Sequence, residues 1–167
     1  MINLIEEKSN KYREAAEAKG LQFSFQHLNE MPDQIVNDPK IIGTVVANLI
    51  ENAVRFTAKG AIAVTLSAKQ LSADQYRFQV DVSDTGIGIP EKETKRIFDS
   101  FTQIDSSLTR QYDGNGLGLS VCEKFAKSLG GTISVSSEVG MGSTFTFVFD
   151  SEIVLDIAVQ KTKFSTN

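Results

Sequence analysis

Residues 61–84, AIAVTLSAKQLSADQYRFQVDVSD, contain two runs in which apolar and polar side chains alternate on either side of a polar turn, SADQ. Alternation with a period of two is typical of a strand with one buried face, and a short polar connection favours an antiparallel pair. Two consecutive strands directly after a helix do not fit strict alternation of strands and helices, so the stretch predicts an antiparallel or mixed sheet.

The residues before this pair predict a long helix from Pro39 to about Thr57. One side of the helix carries an apolar stripe that we expect to face the core: Ile42, Val45, Val46, Leu49, Ala53 and Phe56. Asn48, Asn52 and Arg55 form a second stripe, roughly 110° from the first, at the border of the core.

The rest of the chain predicts four more strands and three more helices. Helix 3–19 ends at Gly20, short strands lie in 21–28 and 34–38, and 90–101 is a short helix. Residues 102–116 are a polar loop. A helix follows, in which apolar residues recur at four-residue steps: Leu117, Val121, Phe125 and Leu129. The strands at 132–138 and 142–150 form a hairpin. We therefore predict a two-layer α+β sandwich whose mixed sheet is covered on one face by helices. It occupies residues 1–150, and 151–167 is a linker or tail.

The composition excludes several kinds of function. The chain of 167 residues has 17 basic and 21 acidic side chains, a net charge of −4 and one cysteine. We therefore expect no nucleic-acid partner, no internal disulfide and no cysteine-based zinc cluster. The N-terminus carries charges from Glu6 onward and no apolar run is long enough to span a bilayer, so we expect no direct membrane contact and a cytoplasmic location.

Three motifs suggest a nucleotide site. Amide and guanidinium groups at Asn48, Asn52 and Arg55 suit a metal-bound polyphosphate, because Mg²⁺ prefers oxygen ligands and shares its shell with phosphates. In SDTGIGIP, Asp84 before two glycines can accept a hydrogen bond from the amine of adenine. A polar helix face and an Asx turn are the structural alternatives for these two motifs.

The third motif, DGNGLGLS at 113–120, places glycines at the start of a helix, where unpaired N–H groups favour phosphate. It lacks the lysine of a Walker A loop and the third glycine of a dinucleotide fingerprint, so its partners must lie elsewhere in the chain. A flexible loop before a capped helix is the alternative interpretation.

Five boxes occur in the order NLIENAVRFT (48–57), DTGIGIP (84–90), FDSF (98–101), GNGLGL (114–119) and GMGSTF (140–145). In this order and spacing they resemble the N, G1, F, G2 and G3 boxes of the ATP-binding catalytic domain of sensor histidine kinases. These domains have the Bergerat fold of the GHKL superfamily. The resemblance covers about residues 4–150 and implies an ATP-dependent histidine kinase of two-component signal transduction.

The resemblance also implies roles for single residues. Asn48 and Asn52 hold Mg²⁺, while Asn48, Arg55 (where the family usually has lysine) and Arg110 act on the phosphates. The nucleotide is bound by Asp84, Gly86, Gly88, Ile89, Gly114, Gly116, Leu117, Gly118 and Leu119, under a lid at about 99–116 that Phe98 and Phe101 anchor.

The only histidine, His27, lies in a predicted strand, where we expect a structural role. The resemblance therefore implies that the γ-phosphoryl group goes to a histidine of a separate helical dimerisation domain in the same parent protein, and then to a response regulator receiver domain. Hydrolysing superfamily members have a glutamate where Asn48 stands, and Glu51 is a weaker candidate for polarising a nucleophile. A GHKL serine or threonine kinase or ATPase, and a degenerate nucleotide-binding docking module, remain the alternatives.

Overall fold

A computed structural model describes residues 1–32, 34–99 and 118–154. In chain order the elements are α1 (Ile2–Ala18), β1 (Gln22–His27), β2 (Ile35–Val36), α2 (Pro39–Phe56), β3 (Ala61–Gln70), β4 (Gln75–Asp84), α3 (Glu91–Thr94), α4 (Gly118–Ser128), β5 (Thr132–Glu138) and β6 (Gly142–Ile153).

The strands form one mixed sheet, in the order β1-β3-β4-β6-β2, with β5 paired to the first half of β6. β1 runs parallel to β3, and the other pairs are antiparallel. The predicted α+β architecture is confirmed, including the antiparallel pair of β3 and β4. Helix α2 packs against α1, α4 and the central strands.

Alternate side chains of the central strands make the core under the helices. The fully buried ones are Ile62, Val64, Leu66, Phe78, Val80, Val82, Phe147 and Phe149. The rings of Phe78 and Phe149 stack with centroids 5.5 Å apart. Burying each large side chain stabilises the fold by about 1.5–3 kcal/mol. On the opposite face Asp81 accepts hydrogen bonds from Gln79 and Thr146.

Helix α2 begins as the sequence predicts. The Asp38 carboxylate accepts hydrogen bonds from the N–H groups of Lys40 (2.8 Å) and Ile41 (3.3 Å), and Pro39 occupies the first turn. Such an N-cap satisfies donors that have no partner inside the helix. The predicted apolar stripe is buried except for Phe56, which is only partly so, and Ile50 and Val54 are buried as well. The stripe is wider than predicted because α2 contacts two helices in addition to the sheet.

Three predictions about local structure need correction. Of the helix predicted at 90–101, only the four residues of α3 are helical among the described residues, and 95–99 form turns and a bend. In α4, Phe125 and Leu129 of the four-residue series are partly buried against the core, but Val121 is 36% exposed and the buried residues are Ser120, Cys122 and Ala126. A four-residue step turns a helix by about 400°, so a line of such steps drifts about 40° per step and cannot stay on one face.

The third correction concerns the end of the sheet. β6 continues past the predicted boundary at 150, because Ile153 and Glu152 pair with Ile35 and Val36 of β2. Within the ranges that the structure covers, no helix is long and apolar enough to cross a membrane.

Candidate functional site

Asp84 is the last residue of β4 and continues the row of buried side chains at Val80 and Val82. Its Oδ1 accepts a 2.7 Å hydrogen bond from the N–H of Gly86, so the Asx turn that the sequence allowed is present. Burial raises the pKa of the Asp84 carboxyl, while the N–H groups of Gly86 and Ser143, which donate to it, and the nearby Thr57 hydroxyl lower it. The result is a half-buried carboxylate held by its own loop.

The loop after Asp84 packs against the end of α2. The Phe56 carbonyl accepts a 3.3 Å hydrogen bond from the N–H of Ile87, and a side chain at Gly86 would collide with the same carbonyl. The Cβ of such a side chain would also lie 2.7 Å from Asp84 Oδ1. The C-terminal end of α2 and the Asp84 loop therefore form one wall.

The turn between β5 and β6 forms a second wall. The N–H of Gly140 donates to the Ile87 carbonyl (2.9 Å), and the N–H of Ile89 donates to the Ser137 hydroxyl (2.8 Å). Gly88 has a φ of +68° and lies directly against the backbone of Glu138. Ile89 is buried, and its role beside a base stays a prediction. Three motifs that are far apart in the sequence thus meet around Asp84.

Asn48 lies at the other end of the site, where α2 meets the start of α4. Its Nδ2 donates a 2.9 Å hydrogen bond to the Thr44 carbonyl. Only the nitrogen of the amide can donate, so this bond fixes which way the side chain is turned. A Cβ at Gly118, the first residue of α4, would lie 3.2 Å from Asn48 Oδ1. The amide oxygen is therefore directed at a helix N-terminus.

Asn52 and Arg55 are half-buried on the same side of α2, at the border of the core as predicted. Arg55 Nη2 forms a 3.1 Å ion pair with Oε1 of Glu51, one turn earlier. Glu51 is therefore bound to the guanidinium that the sequence assigns to phosphate. A cavity of about 570 Å³ between α1 and α2 adjoins Asn48 and Glu51, and three lysines line it: Lys8, Lys11 and Lys40.

The remaining predicted site residues divide into two groups. Leu119 and Phe98 are partly buried against the core. Phe101, Arg110, Gly114, Gly116 and Leu117 lie outside the described residues, together with most of the predicted lid. Their roles stay predictions.

The sequence did not single out four polar or small residues that surround Asp84. Ser137 donates to the carbonyl of Gly142 (2.9 Å) and shares a hydrogen bond with the Ser143 hydroxyl, also at 2.9 Å. Gly142 packs on the Asp84 backbone, and Thr57 lies beneath the carboxylate. Position within the recognised boxes was the only signal for three of them, because Gly142 and Ser143 belong to GMGSTF and Thr57 ends NLIENAVRFT, and Ser137 lies in no box.

Known proteins resemble this chain in sequence and in fold. Residues 37–153 match the family described as histidine kinase-, DNA gyrase B- and HSP90-like ATPases. The signal transduction histidine-protein kinase BarA of Escherichia coli is 35% identical over 142 residues, which are 85% of this chain and 16% of BarA. The sensor histidine kinase RcsC of Escherichia coli is 42% identical over 117 residues, which are 70% of this chain and 12% of RcsC. The chain thus spans about one sixth or less of these relatives.

Solved structures show the same fold. The nucleotide-free catalytic domain of histidine kinase ThkA superimposes with a TM-score of 0.68 at 30% identity, over 89% of this chain and 92% of that domain. Full-length ShkA in complex with AMPPNP gives a TM-score of 0.74 at 28% identity, over 92% of this chain and 30% of ShkA.

Proposed function

Because the chain belongs to the histidine kinase-, DNA gyrase B- and HSP90-like ATPase family and has the fold of a histidine kinase catalytic domain, we propose that it binds Mg-ATP and donates the γ-phosphoryl group to a histidine on a separate helical dimerisation domain. The observation that carries the proposal is the position of Asp84. A half-buried carboxylate, held by backbone donors at the end of the central strand β4, is an acceptor for an amine and not for a carbonyl oxygen.

Adenine recognition follows from this acceptor. The exocyclic amine of adenine is a donor, whereas guanine presents an oxygen at the equivalent position and would be repelled by the carboxylate. Gly86 and Gly88 let the loop pack directly against the Phe56 carbonyl and the Glu138 backbone, and these contacts hold the loop in place beside the proposed base. Ile89 supplies an apolar surface beside them.

The Asn48 end suits magnesium. An amide oxygen with its nitrogen anchored on the Thr44 carbonyl is a fixed neutral ligand, and Asn52 follows one turn later on the same side. When bound, Mg²⁺ neutralises phosphate charge and orients the terminal phosphoryl group for transfer. Gly118 brings the N-terminus of α4 to the Asn48 oxygen, and this end of a helix favours the negative charge of phosphates.

The residues around Asn48 favour transfer over hydrolysis. An amide at position 48 cannot take a proton from water, and the neighbouring carboxylate of Glu51 is paired with Arg55. The only histidine, His27, lies at the end of the edge strand β1 with Nδ1 3.4 Å from the Asn29 carbonyl. The acceptor histidine in our proposal therefore belongs to another domain, and a response regulator receiver domain takes the phosphoryl group next.

A transfer assay tests this proposal. The chain is incubated with γ-labelled ATP and Mg²⁺, alone and with a separately produced helical phosphoacceptor domain from its parent protein. We expect saturable ATP binding by the chain and acid-labile phosphohistidine only when the acceptor is added. Acid-stable phosphoprotein would indicate a serine or threonine kinase, rapid release of free phosphate would indicate an ATPase, and no adenine nucleotide binding would leave only a docking module.

The metal assignment predicts a specific loss in Asn52→Ala. We expect ATP affinity in Mg²⁺ to fall about tenfold, because a neutral oxygen ligand is removed from the proposed shell. Calorimetric titration in Mg²⁺ and in EDTA separates the metal from the nucleotide, since the affinity in EDTA should barely change. Asn10→Ala, at an exposed asparagine of α1, is the matched control. An equal loss with and without Mg²⁺ would contradict the assignment.

The ion pair between Glu51 and Arg55 predicts the opposite effect for Glu51→Gln. Exposed pairs stabilise by about 0.2–1 kcal/mol, so releasing Arg55 toward phosphate should tighten ATP binding about two- to fivefold at low salt. Titrations at two salt concentrations measure it. Glu123→Gln breaks an equally spaced pair with Lys127 on α4 and should change nothing. Unchanged affinity in Glu51→Gln would show that Arg55 does not reach the phosphates.

A further inference from the structure

Thr57 follows the last residue of α2 and is fully buried. Its N–H donates a 3.1 Å hydrogen bond to the Ala53 carbonyl, which closes the helix. Its hydroxyl is different. Among the residues that the structure describes, Thr57 Oγ1 is the one buried side-chain oxygen or nitrogen without a hydrogen-bond partner of normal geometry. A buried unpaired hydroxyl destabilises a fold, so its position calls for an explanation.

A chain of contacts connects the residues around Thr57 to Asp84. The carbonyl of Phe56, the residue before it, accepts from the N–H of Ile87 and lies against Gly86. The Gly86 N–H in turn donates to Asp84 Oδ1. These contacts lock the end of α2 onto the Asp84 loop and place the threonine hydroxyl close enough to the carboxyl group to lower its pKa.

The donors around Asp84 can be counted. A carboxylate has about four lone-pair positions. The N–H groups of Gly86 and Ser143 occupy two, and the Thr57 hydroxyl can occupy a third, which leaves one for an incoming amine. Rotation of a hydroxyl hydrogen and a small shift of the carboxylate are enough to complete the third bond.

We propose that Thr57 is a positioning residue that donates its hydroxyl to the Asp84 carboxylate when a base is bound, and so keeps one carboxylate oxygen directed at the exocyclic amine. This inference rests on the proposed ATP site. In it, Thr57 does not touch the nucleotide, because its oxygen is shielded from solvent. It acts through Asp84 by favouring the ionised and correctly turned carboxylate.

The charged side chains next to these segments in the sequence are Arg55 and Lys59, on either side of Thr57, and Glu138 at the end of β5. The pKa of Asp84 is set by burial and by the donors Gly86, Ser143 and Thr57. Of these donors only Thr57 acts through a side chain, so only Thr57 can be removed by substitution without changing the backbone. Loss of its hydroxyl should raise the pKa of Asp84 further.

The test compares Thr57→Val, which keeps the shape of the side chain, with Thr57→Ser, which keeps the hydroxyl. ATP affinity is titrated from about pH 8 down to pH 5, with circular dichroism at each pH to confirm folding. We expect Thr57→Val to bind ATP about five- to tenfold more weakly at neutral pH and to lose binding at a higher pH than the parent. Thr57→Ser should follow the parent chain. The phosphates and base of ATP also change protonation over this pH range, but this affects the parent and both variants equally and does not alter the comparison.

A nucleotide without the amine gives a second readout. Purine riboside triphosphate has no donor for Asp84, so Thr57→Val and the parent should bind it equally. An unchanged pH profile in Thr57→Val, or an equal loss for both nucleotides, would overturn the role of Thr57. Failure of the parent chain to bind ATP at all would instead overturn the proposed function, so the two failures are distinguishable.

Discussion

Replacing Asp84 by asparagine is expected to lower ATP affinity about 100-fold while leaving the folded domain at least as stable as before. The asparagine oxygen can still accept the N–H of Gly86, so the loop keeps its shape. Its amide nitrogen then faces the adenine amine, and two donors repel each other. ATP binding is therefore lost because the acceptor for the amine is replaced by a donor, and not because the domain unfolds.

The stability part of this prediction follows from the pKa of Asp84. Burial raises this pKa above 3.8, so the folded state holds its proton to a higher pH than the unfolded state does. Stability of the parent chain therefore falls as pH rises from the ordinary aspartate pKa through the raised one, and the penalty persists at neutral pH. Asparagine has no charge to desolvate, so it avoids this penalty.

Calorimetric ATP titration and urea unfolding at pH 7 measure the two effects. Asp81→Asn is the matched control, because Asp81 lies on the same strand but on the opposite face, where it accepts from Thr146 and Gln79. We expect its ATP affinity to stay unchanged. ATP binding that survives in Asp84→Asn, or that falls equally in Asp81→Asn, would refute the assignment of Asp84 to the base.

The second large effect is expected in Gly88→Ala, which should reduce the free energy of unfolding by about 2–4 kcal/mol. The φ of +68° disfavours a side chain, and the added Cβ would collide with the Glu138 carbonyl and lie 2.9 Å from Val139 Cα. Backbone atoms cannot rotate away as a flexible side chain can. The Asp84 loop would separate from the β5–β6 turn, so ATP affinity should fall as well.

Gly140→Ala provides the comparison. Gly140 has a similar φ of +79°, but no atom would lie within 4 Å of a Cβ added there, so only the backbone penalty of about 1–2 kcal/mol applies. Urea unfolding of both variants isolates the cost of the collision. If both lose the same free energy, the contact between the loop and the turn contributes nothing to stability.

Local patterns in the sequence were sufficient for most of the fold. The alternation in 61–84 and the start of α2 at Pro39 depend on neighbours in the chain, and the structure has both. On α4 the four-residue series holds only in part: Phe125 and Leu129 pack against the core, but Val121 is exposed. The fully buried side chains are the small ones of Cys122 and Ala126, on the helix that packs against α2. No pattern within α4 alone reveals which helix it will meet.

The candidate site shows the same division. Asp84 could be identified because an aspartate ending an apolar strand and followed by glycines is unusual enough to notice. Thr57 could not, because it lies 27 positions earlier and looks like an ordinary helix end. Thr57 comes near Asp84 only in the folded protein, where the Phe56 carbonyl accepts the hydrogen bond from the Ile87 N–H.

Strand β4 is hydrogen-bonded on both sides, to β3 along one edge and to β6 along the other, up to Asp84 itself. The backbone that carries the Asp84 carboxylate is therefore already fixed in the folded protein before any ligand binds. In the proposed complex, binding a base carries little conformational entropy cost at this position, so little of the hydrogen bond's contribution to affinity is lost. In our proposal, selectivity for the base is therefore a property of the folded sheet, which is in place before ATP binds.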